Sequence, residues 1–116
     1  MTDFLDTQFG IHGRALQLRA QRLDVIASNI ANAATPGFKA RDIDVDATLA
    51  GGSAFGAALD NALKYRVPSQ VSLDGNTVEL ATEQAAFAQN AVQYRASLGF
   101  LTSRIQSLMA ALKGGE

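Results

Sequence analysis

The feature that most restricts how this chain folds lies toward its C-terminal end. Ala91, Leu98, Ile105 and Leu112 recur every seven residues, and Leu80, Phe87, Tyr94, Leu101 and Leu108 fall three residues away from them. Apolar residues held at this spacing over about five heptads specify one long helix with an apolar seam along its length. The start of the helix is also marked. Asp74-Gly75 reads as a turn, Asn76 as a cap for the free amides of the first turn, and Glu79 as the residue that reaches back to the Asn76 amide. The pattern predicts helix over residues 76–112, fraying at Gly114-Gly115.

A second seam runs near the N-terminus, where Phe9, Leu16, Leu23 and Ile30 recur every seven residues with Ala20, Ile26, Ala27 and Ala33 beside them. Helix is expected over residues 5–33. Thr35-Pro36-Gly37, followed by Phe38, then stops it, because Pro restricts the residue before it and Gly tolerates the left-handed turn that ends helices. Between the two helices the period is lost. Gly51-Gly52, Gly56 and Pro68 mark a loop-rich stretch, with a brief extended piece over Arg41 to Asp46 and a candidate two-turn helix over Ala57 to Tyr65. The expected fold class is all-α. Long N- and C-terminal helices (residues 1–37 with their stop, and 76–116) pair as an antiparallel, coiled-coil-like hairpin and form one axial unit. Residues 38–75 form an irregular linker.

A seven-residue seam alone says only that two helices pair, but these helices carry further apolar residues. Ile11, Leu18 and Val25 repeat every seven residues about 200° around the first helix from the Phe9 to Ile30 stripe, and Val92 and Phe100 lie outside the seam of the second. One partner helix cannot cover both faces. On this reading Leu98 sits in the intrachain seam, whereas Leu18 sits on a face that a lone hairpin leaves open. Burying a seam residue contributes roughly 1.5–3 kcal/mol, while ordering each helical residue costs about 1–2 kcal/mol, so the isolated chain is expected to be marginal. Neighbours covering the second stripes would supply the difference, and a heterologous contact that does not close produces a helical filament. The pattern alone therefore points to an assembly subunit.

Chemistry is weakly represented. Ten Lys plus Arg face eleven Asp plus Glu, a balance that offers no field to hold nucleic acid or an anionic membrane surface, and there is no Cys to form disulfides or thiolate sites. No apolar run approaches membrane-spanning length, and the acidic start Met1-Thr2-Asp3-Phe4-Leu5-Asp6 argues against a cleaved signal peptide. His12 beside Gly13 has no defined nucleophile. Asp42, Asp44 and Asp46 imitate the start of a calcium loop but are followed by Ala47 and Ser53 where Gly and Glu are needed. Gly51-Gly52-Ser53-Ala54-Phe55-Gly56 lacks the Gly-Lys-Ser/Thr of a phosphate loop. The Arg14, Arg19 and Arg22 cluster is diluted by Gln17, Gln21 and Asp24, and no recognition helix follows it. No catalytic, cofactor-binding or metal-binding residue is assigned, and neither nucleic acid nor membrane insertion is expected.

The stretch from Leu23 to Lys39, with Asn29 and Asn32 followed by Thr35-Pro36-Gly37-Phe38, resembles a motif of the bacterial flagellar axial proteins, the family of rod, hook and hook-associated subunits. Val67-Pro68-Ser69-Gln70 through Asp74-Gly75-Asn76-Thr77-Val78-Glu79-Leu80, and onward to Gln93-Tyr94-Arg95, is similar to the proximal rod members. The likeness spans residues 14–46 and 65–112. It implies that the terminal helices form an axial domain around a central channel, in a subunit exported through the flagellar type III apparatus. It also implies a place in the basal body, with other copies of the chain, the rod protein FlgC and the adapter FliE as neighbours. Asn29 and Asn32 then join Ile11, Leu18, Val25, Val92 and Phe100 as candidates for contacting other subunits or fixing the turn. A soluble helical adapter or export chaperone, binding a partner helix through the same stripes, is the alternative.

Overall fold

The computed structural model describes residues 2–50 and 63–114. Two long helices, α1 (Thr2–Ala31) and α3 (Leu80–Lys113), lie side by side and antiparallel in a molecule of 67 × 26 × 18 Å. Between them come strand β1 (Arg41–Ile43), helix α2 (Val45–Leu49) and strand β2 (Leu63–Tyr65). The strands form a two-stranded antiparallel sheet in the register Arg41 to Tyr65, Asp42 to Lys64 and Ile43 to Leu63. The helical hairpin matches the expected fold class, and the small sheet fills what the period left irregular.

The Pro36-Gly37 stop works as a turn. The Phe38 amide donates to the Thr35 carbonyl at 3.3 Å, with Pro36 and Gly37 central and Gly37 at φ +74°, the arrangement of a type II turn. The turned chain leads into β1. Asp44 then caps α2 by accepting from the Ala47 amide at 3.1 Å. This compact piece sets Ile43 and Val45 against Leu18 of α1, with Val25 and Leu49 packed around them.

The second long helix begins at Leu80, four residues later than expected. The capping residue is Glu79, whose side chain makes no cap bond, so the Asn76–Glu79 capping box is not formed. Both side chains are engaged elsewhere. Of the expected helix over Ala57 to Tyr65, residues 63–65 are instead strand, because they pair with β1. The rest of that span, like the Gly51 to Gly56 loop, lies outside the described residues.

Candidate functional site

The face of α3 that meets α1 is polar and small. Glu83, Ala86, Asn90 and Ser97 are its buried residues, at heptad spacing. Opposite them on α1 are Arg19 and Asn29. Arg19 is the centre of this contact. Its guanidinium donates to Gln93 Oε1 at 2.9 Å and to Ser97 Oγ at 3.3 Å, while its backbone carbonyl accepts from Asn90 Nδ2 at 2.9 Å. Asn90 Oδ1 is buried with no donor. Polar groups at such a face bind only when their partners are opposite, so they hold the helices to one register.

Above this contact a closed ring of polar groups ties the middle segment to both helices. Arg22 of α1 forks onto Asp42 of β1 at 2.8 and 3.1 Å. Arg66, just after β2, donates to the same carboxylate at 2.9 Å and reaches Glu83 of α3 at 3.0 Å, an ion pair whose angle lies off the hydrogen-bond direction. Asn29 of α1 completes the ring by donating to Glu83 Oε2 at 3.0 Å. Burial pushes the Asp42 carboxyl up. Hydrogen bonds from Arg22 and the Ile43 amide, with the charges of Arg22 and Arg66, outweigh it and hold the group below the usual carboxylate range. Glu83 is fully buried, and Arg66 and Asn29 are the groups that face its carboxylate.

The end of the bundle is fastened by Asn76. Its Nδ2 donates to the carbonyls of Asn32, Ala33 and Thr35, in the turn that follows α1, and its Oδ1 accepts from the Val78 amide. A cap expected for α3 thus serves the turn after α1. The Glu79 carboxylate turns back to take the hydroxyl and amide protons of Ser69, in that order the causes that lower its pKa. Asn32 donates to the Ser28 carbonyl and accepts from the Thr35 hydroxyl. Asn29 donates to the Arg41 carbonyl at 2.6 Å and accepts from the Arg41 amide at 3.1 Å. Asn29 is therefore spent inside the chain, leaving no surface for a neighbour, and Asn32 fixes the turn.

The expected apolar seams are not the buried core of the contact between the helices. Of their residues only Ile26 is buried. Phe9, Leu16, Ile30, Ala91, Leu101 and Leu108 are half-buried, and Leu23, Leu80, Phe87, Tyr94, Leu98, Ile105 and Leu112 are exposed. The α3 seam sits about 80° around the helix from the buried polar stripe. Ala20 and Leu23 meet Phe87, Ala91 and Tyr94 along an open apolar groove of about 260 Å³. Leu18, expected on the open face, is 0% exposed, whereas Leu98, expected in the seam, is 46% exposed. The cause of this exchange is the middle segment, which folds over Leu18 and Val25 and so does what a neighbour was expected to do. Ile11, Val92 and Phe100 remain exposed as expected, Phe100 with its ring stacked on His12 at 5.8 Å.

The charged residues weighed for chemistry have structural partners. Asp42 belongs to the ring, Asp44 caps α2, and Arg19 and Arg22 reach α3 and β1. Sequence reasoning missed Arg66 and Glu83. The available signal was a carboxylate at heptad spacing with Asn90 and Ser97, a polar stripe as regular as the apolar one. A polar depression of about 380 Å³ over the sheet includes Arg22, Asp42 and Arg66, already paired with one another. Among the described residues no helix is long and apolar enough to cross a membrane.

In sequence, the chain is similar to known flagellar proteins. A family model described as flagella basal body rod protein matches residues 9–39. The flagellar basal body rod protein FlgB of Cereibacter sphaeroides is 50% identical, with 98% of this chain and 99% of that protein covered. FlgB of Proteus mirabilis is 40% identical over 99% of this chain and all of that protein. FlgB of Escherichia coli is 39% identical with both chains fully covered.

Proposed function

The chain belongs to the flagellar basal-body rod protein family, and from that premise we propose that its two terminal helices act as one axial unit, packing against neighbouring subunits to build part of the drive shaft around the export channel. Its role is structural rather than enzymatic, and its place is the flagellar basal body. The single observation that supports the mode of packing is the reversed polarity of α3. The helix buries Glu83, Asn90 and Ser97 within the chain and leaves Leu80, Phe87, Tyr94, Leu98, Ile105 and Leu112 exposed along one stripe. A contiguous row of exposed apolar side chains along so long a helix marks a surface that another molecule covers. The subunits that cover it are other copies of this chain and the adjoining rod components, FlgC above and the adapter FliE at the base. The chain reaches them through the flagellar type III export apparatus.

The test is a reconstruction of basal bodies isolated from a strain in which this chain, carrying a small tag, replaces the native copy. The expected result is density for α1 and α3 in the rod wall, with the Leu98 and Ile105 side covered by a neighbouring helix. Recovery of the chain only as a closed soluble complex with one partner would instead favour an adapter or chaperone.

A further inference from the structure

The groove between the helices has a chemistry that another part of this chain matches. Its walls are apolar, and Arg95 stands at the rim with no carboxylate partner among the described residues. The turn that leads into α3 carries Leu73 fully in solvent, followed directly by the Asp74 carboxylate. This turn is rigid. Ser72 Oγ and the Asn76 amide both donate to Asp74 Oδ1, at 2.5 and 3.0 Å, and the Asp74 carbonyl accepts from the Gly37 amide at 2.9 Å. A preorganised turn loses little conformational freedom on docking, so an exposed leucine held this way is an inexpensive anchor.

We propose that the Ser72–Gly75 turn of one copy seats in the α1–α3 groove of a second copy, with Leu73 against Leu23, Phe87 and Ala91 and with Asp74 beside Arg95. The proposal rests on the rod assignment and adds which surfaces meet. A leucine side chain fits within a groove of about 260 Å³, and the carboxylate supplies the charge that Arg95 lacks. The turn lies where α1 ends, whereas the groove is centred about ten residues farther down the bundle, roughly 15 Å at the helical rise. Copies running in the same direction therefore cannot engage both sites with one another. Each copy uses its turn on one neighbour and its groove on the next, a contact that propagates without closing. The area is small, so the contact acts within an assembly held at many points and does not support a dimer in dilute solution.

Because the chain has no cysteine, disulfide trapping gives a direct test. Two distinguishable tagged copies, one Leu73→Cys and one Ala91→Cys, are co-expressed in place of the native chain, and isolated basal bodies are oxidised. The expected product is a disulfide-linked dimer carrying both tags, with none when Ile11→Cys replaces Ala91→Cys. Rods that contain both copies without this product, or with equal product from the Ile11→Cys control, overturn the proposal while leaving the rod assignment intact. Absence of the chain from basal bodies overturns both. A second variant, Arg95→Glu, should lower incorporation into rods by at least about tenfold with monomer helicity unchanged. Unchanged incorporation also overturns the proposal.

Discussion

The two stripes of α3 have the same heptad spacing and opposite fates. One carries Glu83, Ala86, Asn90 and Ser97 and is buried against α1. The other carries Phe87, Tyr94, Leu98 and Ile105 and stays open. In an ordinary hairpin the apolar stripe would be inside. The reversal shows that polar contacts here choose the intrachain partner and its register, because each hydrogen bond or ion pair is satisfied in only one alignment. Apolar surface is less selective, since its burial is favourable against any complementary surface, and it is left for association.

Breaking this contrast at its strongest point means placing a charge on each of two leucines. Leu18→Asp puts a carboxylate into the closed pocket formed with Ile43 and Val45 and should cost more than about 4 kcal/mol, enough to abolish the cooperative unfolding transition followed by circular dichroism. Leu98→Asp alters an open face and should shift monomer stability by no more than about 0.5 kcal/mol while blocking rod assembly. Equal damage to the two monomers would mean that α3 pairs through its apolar stripe after all.

The ring offers the next largest effect. Arg66→Ala leaves Glu83 buried without its cation and should cost about 3 kcal/mol in urea unfolding, and adding Glu83→Gln should restore much of the loss. Failure of the second change to restore stability would show that Arg66 contributes by packing alone. At the turn, Gly37→Ala forces a side chain into a left-handed backbone conformation, φ +74°, although nothing crowds the site. The expected loss is about 1–2 kcal/mol, read as a lower thermal midpoint.

The smallest effect is on pH dependence. Asp42 is held below its ordinary value of 3.8 in the folded chain, so its contribution is fully present above that value and is lost as pH falls through the lowered one. The stability difference between the wild type and Asp42→Asn should therefore be constant near neutral pH and narrow only in strong acid, below about pH 4. A gap that narrows already near neutral pH would show that Asp42 is not the group held down.

Much of this was legible beforehand. The heptads of Leu98 and Leu23 located both long helices, and Thr35-Pro36-Gly37 located the end of α1. Exposure of Ile11, Val92 and Phe100 also followed from their positions outside the seams. The fate of Leu18 did not, because its cover comes from Ile43 and Val45, more than twenty residues on in a segment with no period to read. Asn76 was equally opaque. A capping residue bonds whichever carbonyls or amides are nearest in space, and those belonged to the turn after α1 rather than to the helix that follows.

By itself, then, the sequence determined that there are two long helices, where each stops and which faces each possesses, because these follow from local periodicity and turn chemistry. Only the tertiary structure decided which face meets which. A helical stripe records that a surface is to be covered but not by what, and here the choice was made by Arg66, Asp42, Glu83 and Asn29, residues distant in sequence whose ion pairs and hydrogen bonds come together in one arrangement.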